Sequence, residues 1–94
     1  MPIAVNTTLI PTADVSVGAG VSAVVVAANV NRKNLIITSL SSNSAAGRVG
    51  DNTVTATKGA ELMPGGSIEL RTTAAVSIFN THSAGQSFSI LEEV

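Results

Sequence analysis

Short runs of β-branched residues alternate with turn residues along most of this chain, and that rhythm predicts strands rather than helices. The candidate strands are Val15 to Val17, Val21 to Ala28, Leu35 to Ser39, Arg48 to Gly50, Val54 to Thr57, Ser67 to Arg71, Ala75 to Asn80 and Ser87 to Leu91. Between them stand clusters that reverse a chain: Gly18-Ala19-Gly20, Asn29 to Asn34, Ser41 to Gly47, Gly50-Asp51-Asn52, Pro64-Gly65-Gly66 and Ser83-Ala84-Gly85. Ile68 and Leu70 oppose Ser67, Glu69 and Arg71, and Phe88 and Ile90 oppose Ser87 and Ser89, as in strands with one wet face. Val21 to Ala28 is apolar on both faces, which predicts a strand that is central or covered by a neighbouring chain. No 3.6-residue period and no long repeat appears.

Residues 1–13 break this pattern. Pro2, Pro11 and the Asn6-Thr7-Thr8 stretch disfavour a helix, and Ile3, Val5, Leu9 and Ile10 follow no regular spacing. They are expected to form an extended N-terminal arm whose four apolar side chains bind a partner, ahead of a β-sandwich domain over residues 14–94. The predicted fold is therefore all-β: a small antiparallel β-sandwich or jelly-roll-like barrel of about seven or eight short strands.

Ninety-four residues support one modest core, so a single domain and extra stability from identical copies are expected. Apolar residues make up 45% of the chain and charged residues 12%, with a net charge of −1, so its surface must be poor in charge and inclined to associate. A homo-oligomer is expected, with a trimer as the leading state. The absence of cysteine excludes disulfides and thiolate chemistry. No basic head or compact apolar stretch opens the chain, and the run from Val21 to Ala28 falls far short of the roughly 20 residues that span a bilayer; neither a secretory signal nor a membrane contact is expected.

Reactive constellations are scarce. Gly18-Ala19-Gly20-Val21-Ser22-Ala23 matches a dinucleotide-binding string, but Val24-Val25-Val26 follows where a helix is needed and no acid stands about 20 residues on, so a hairpin turn is the better reading. His82 is the only histidine and has Ser, Thr and Gly around it, without an orienting acid or an activated nucleophile. With no cysteine beside it, a zinc site is not expected. Asp51-Asn52-Thr53 lacks the ligand spacing of a calcium loop and reads as an Asx turn. Glu92 and Glu93, as strand neighbours, point to opposite faces. The chain is thus expected to be no enzyme and to need no cofactor or metal. Arg32-Lys33 is the only basic pair, and with just Phe79 and Phe88 as aromatics, both at core-like positions, it does not make a nucleic-acid site. It reads either as a solvated turn or as a pair of charges that contact another protein, and Arg32 and Lys33 join the four arm residues as candidate partner-binding positions.

A set of short strings carries a resemblance: Ala28-Asn29-Val30-Asn31-Arg32-Lys33-Asn34-Leu35-Ile36-Ile37, then Arg48-Val49-Gly50, then Pro64-Gly65-Gly66-Ser67-Ile68-Glu69-Leu70, then Thr73-Ala74-Ala75-Val76. In this order they resemble small β-sandwich proteins of tailed-bacteriophage virions, over about residues 20–94. Val30 stands where that group commonly has proline and Asn34 where it has an aromatic. The resemblance implies a virion protein made in the host cytoplasm. The leading expectation is a capsid decoration protein cementing the major capsid protein or another virion protein; the alternative is a receptor-binding or adhesive module of a phage head or tail fibre.

Overall fold

The structure, a computed structural model, describes residues 7–94. Nine strands make two antiparallel sheets packed as a sandwich, with no helix among the described residues. They are β1 (Leu9–Pro11), β2 (Val15–Val17), β3 (Ser22–Val26), β4 (Asn34–Ser39), β5 (Gly47–Gly50), β6 (Ala60–Leu62), β7 (Ser67–Leu70), β8 (Val76–Asn80) and β9 (Gln86–Glu93). One sheet runs β1-β9-β4-β7, with β2 also paired to β9; the other runs β3-β8-β5-β6.

The alternation seen in the sequence fixes which side chains enter the space between the sheets. On β4, Leu35 and Ile37 are buried while Ile36 and Thr38 are half-buried on the outer face; on β9, Phe88 and Ile90 are buried between outward Ser87, Ser89 and Leu91. Val49 and Ile78 enter from the other sheet, and with Val17, Val26, Leu62 and Val76 they complete the core. Gly47 is buried in the middle of it. A Cβ there would come within 2.8 Å of Ile78 and 3.1 Å of the Phe88 ring, so the missing side chain makes room for the one aromatic of the core. The β6–β7 reversal is a type II turn: Pro64 leads, Gly65 takes φ of 79°, and the Gly66 N–H donates to the Met63 carbonyl at 2.8 Å.

Four expectations need correction. Val54 to Thr57 is a turn closed by a Thr55–Lys58 bridge, and the strand lies further on at β6; Val54 is apolar because it is buried, not because it is extended. The strand expected over Val21 to Ala28 is shorter, Ser22–Val26, and sits at the edge of its sheet, bent by a bulge between Val24 and Val26. It is not central. Phe79 pairs with Arg48 and Ser22 on the outer face of its sheet, half-buried, and only Phe88 belongs to the core. Finally, Leu9 and Ile10 do have a place in the sandwich, because β9 is long enough to hold two short strands end to end along one edge. Leu9–Pro11 pairs with Leu91 to Glu93, and Val15–Val17 with Gln86 to Phe88. The ladder runs on through Thr8, whose N–H donates to the Val94 carbonyl at 2.7 Å.

Candidate functional site

Arg32 is where the structure departs furthest from the sequence reading. It lies in the β3–β4 connection, yet its side chain is fully buried. Its Nε donates to the Glu92 carboxylate at 2.8 Å; Nη1 donates to the carbonyls of Thr72 and Ala74 at 2.9 and 3.0 Å; Nη2 donates to the carbonyl of Ala27. One guanidinium therefore ties the β3–β4 and β7–β8 connections to the last strand, using its planar fork to serve several acceptors at once. A group so occupied has no charge to offer a partner, which corrects its place among the partner-binding residues. Glu92 was the missing half of this reading. The alternation of β9 puts residues 86, 88, 90 and 92 inward, and a carboxylate on that phase signals a buried cation close by.

The opposite end of the sandwich has its own polar clamp. Asn80, fully buried at the end of β8, donates from Nδ2 to the carbonyls of Val17, Gly18 and Ala84 at 3.0, 3.2 and 2.8 Å. Its Oδ1 accepts from the His82 backbone N–H and from Gln86 Nε2. Gln86 Oε1 in turn accepts from the backbone N–H groups of Ser44 and Ala45, both at 2.8 Å. His82 thus contributes its backbone to a structural network.

The surface offers three features. Lys33 is exposed and lines, with Thr7, Asn34, Arg71 and Glu93, a shallow polar pocket of about 300 Å³. Leu9 and Ile10 sit on an outer strand of one sheet at 59% and 37% exposure, and Val24 on an outer strand of the other sheet at 56%. Ile3 and Val5 lie outside the described residues. An apolar cleft of about 250 Å³ opens where β7 stands apart from β5 and β6, walled by Val49, Ala60, Ile68, Leu70, Ala75 and Val76. Asp51, exposed beside it, is the one charged residue among the described residues of that wall. Hydrogen bonds from the Thr53 side chain and backbone hold the Asp51 carboxyl below the usual carboxylate range. No three His, Asp or Glu side chains converge among the described residues.

No known family model matches the chain, and no curated protein matches it. Among solved structures it is similar to a Bacillus endospore appendage, described as belonging to a novel family of disulfide-linked pili. The two align with a TM-score of 0.50 at 18% identity, over 99% of this chain and 95% of that one. At that identity the likeness establishes the fold, an all-β sandwich. It also overturns the functional expectation. A solved structure with this architecture is that of a Bacillus endospore appendage, so capsid decoration is withdrawn, and neither a phage fibre module nor a capsid partner finds support.

Proposed function

We propose that the chain is a non-catalytic structural subunit that works by assembling with copies of itself into a fibre or appendage. The observation that carries this reading is the character of its free sheet edges. β1 and β3 border their sheets, contain no charged residue, and present Leu9, Ile10 and Val24 to solvent. Sandwich proteins that remain monomeric commonly guard such edges with lysine, proline or bulges; Pro11 and the bulge in β3 blunt these two only in part. With a net charge of −1, long-range repulsion between copies is weak. The likeness to an appendage protein points the same way.

Light scattering over a wide concentration range, followed by electron microscopy of the concentrated sample, tests this directly. Growing mass and elongated particles are expected. A closed trimer would give a fixed mass instead, and a strict monomer at every concentration would sink the reading.

The comparison sets a second expectation. The matched appendage family is described as disulfide-linked, whereas this chain has no cysteine, so its own contacts cannot be disulfides and are taken to be non-covalent. Assembly should be unchanged by excess reductant and should be reversed by dilution or mild denaturant. Assembly that dissolves on adding dithiothreitol would contradict this, and would mean that another, cysteine-bearing protein holds the particles together.

A further inference from the structure

Resting on the reading of the chain as a self-assembling subunit, we infer that two copies meet end to end, each inserting Val30 into the apolar cleft between β7 and the β5–β6 pair of the other. Val30 is the most exposed of the large apolar residues among the described residues at 88%, and it stands on a hydrogen-bonded turn. The Arg32 N–H donates to the Asn29 carbonyl at 3.1 Å, the Asn31 N–H to Asn29 Oδ1 at 3.0 Å, and the Asn29 N–H to the Thr73 carbonyl at 2.9 Å. The buried Arg32 side chain anchors the turn from the other side. Ordering costs at an interface fall when the inserting group is already fixed, and here the backbone that carries Val30 is already held by these bonds.

The cleft is the complementary partner. Its wall is built from Val49, Ala60, Ile68, Leu70, Ala75 and Val76, and its volume of about 250 Å³ admits a valine side chain with part of its turn. Ile68 and Leu70 remain half-buried in the free chain, so their covering would remove further apolar surface from water. Charge matches as well. The exposed Lys33 follows Val30 on the same connection, and the exposed Asp51 is the acid of the cleft wall, kept ionised by its bonds to Thr53. Lys58 lies near Asp51 on its own chain and tempers this attraction.

Position decides the symmetry. The Val30 turn is bonded to Thr73, and Thr72, Ala74 and Ala75 of that same connection line the cleft, so projection and recess lie side by side at one end of the sandwich. Two such ends brought together by a two-fold rotation satisfy both at once, an isologous contact that closes on itself. A lone valine and its surrounding loops fall short of the roughly 1,200–2,000 Å² of a standard interface, so the pair should be weak by itself and should pair subunits while the sheet edges extend the assembly.

Sedimentation velocity on the full chain at low salt, across a range of concentrations, tests the contact. Val30→Asp and, from the cleft side, Ala75→Glu should each raise the dissociation constant of the dimer step at least tenfold, with far-ultraviolet dichroism and melting temperature unchanged. Lys33→Glu should weaken the step severalfold by facing Asp51, and Lys33→Glu combined with Asp51→Asn should recover about half of that loss, since it removes the repulsion but not the lost attraction, while Asn keeps an oxygen for Thr53. Association that survives both Val30→Asp and Ala75→Glu at wild-type strength overturns this contact while leaving the subunit reading intact, as does a double variant no better than Lys33→Glu alone. A wild-type chain that never associates overturns both.

Discussion

Replacing Arg32 with methionine is expected to be among the most destabilising single changes this chain can suffer, about 3–5 kcal/mol. Methionine fills much of the same volume, so a cavity is a minor part of the loss. The dominant cost is electrostatic and local: Glu92 is left in a mostly buried position without its cation, and the carbonyls of Ala27, Thr72 and Ala74 lose their donor. A domain of this length has about 5–14 kcal/mol in total at ordinary per-residue stability, so the variant would keep little reserve. Each kcal/mol moves the melting temperature of such a domain by about 4–8 °C, and the shift should exceed about 12 °C.

Companion variants separate the causes. Glu92→Gln keeps an acceptor for Arg32 Nε but leaves a buried guanidinium without its counter-charge, and Arg32→Lys keeps the charge but cannot reach several acceptors with one planar fork; both should fall between wild type and the methionine variant. Calorimetry on the three proteins checks the order. A methionine variant within about 1 kcal/mol of wild type that fails to assemble would restore Arg32 as a partner-binding residue and defeat the structural reading.

The two charges of the Arg32-Lys33 pair show how a sequence reading can divide correctly in kind and wrongly in place. A basic pair in a turn looks solvated, and for Lys33 that holds; for Arg32 it fails because its partner is 60 residues away on β9. The clue was present in the alternation. Phe88 and Ile90 set the inward phase of β9, and the same phase carries Gln86 and Glu92 at its ends, just as Val76 and Ile78 set a phase that ends on Asn80. A polar group at the inward phase of a strand terminus implies a bonded network at that end of the sandwich, and both ends have one.

Strand positions were legible wherever alternation lasted four residues or more. β4, β5, β7, β8 and β9 lie within two residues of the runs read from the sequence. β2 is as short but alternates, Val15 and Val17 around Ser16, and was read; β1 was missed because Leu9-Ile10-Pro11 shows no such alternation, β6 because Ala60-Glu61-Leu62 holds no β-branched residue, and Val54 was misread because burial in a turn looks locally like burial in a strand. The cleft could not be foreseen at all. It exists because β7 is an outer strand whose apolar residues face a gap between the sheets, and which strand becomes an edge is decided by pairing across the whole chain.

Asn80→Asp is expected to be worse than the methionine change at neutral pH and markedly less harmful in acid. The exchange is almost isosteric, so packing around residue 80 is preserved and the pH-dependent part of the effect reports protonation; a fixed loss remains at every pH, because a neutral acid has one O–H where Asn80 has two N–H. Asn80 Nδ2 donates to three carbonyl oxygens, those of Val17, Gly18 and Ala84. An ionised carboxylate can donate to none of them, and its charge would face those oxygens in a site with no solvent exposure. Only Gln86 Nε2 and the His82 N–H, which already point at the retained oxygen, would favour it. Burial and the facing carbonyls therefore raise the folded-state pKa above the unfolded value of about 3.9. The sign follows: a raised folded pKa means the native state binds the proton more tightly, so its share of stability is intact below about pH 3.9 and is lost as pH climbs toward the folded pKa, by about 1.4 kcal/mol per unit. Relative to wild type, the variant should lose several kcal/mol between pH 4 and 7 and unfold at or near neutrality. Urea titrations of both proteins at pH 4, 5, 6 and 7 measure the difference directly. A constant gap across that range would show that the carboxylate finds solvent or a cation at residue 80, and that the Asn80 network is looser than its distances indicate.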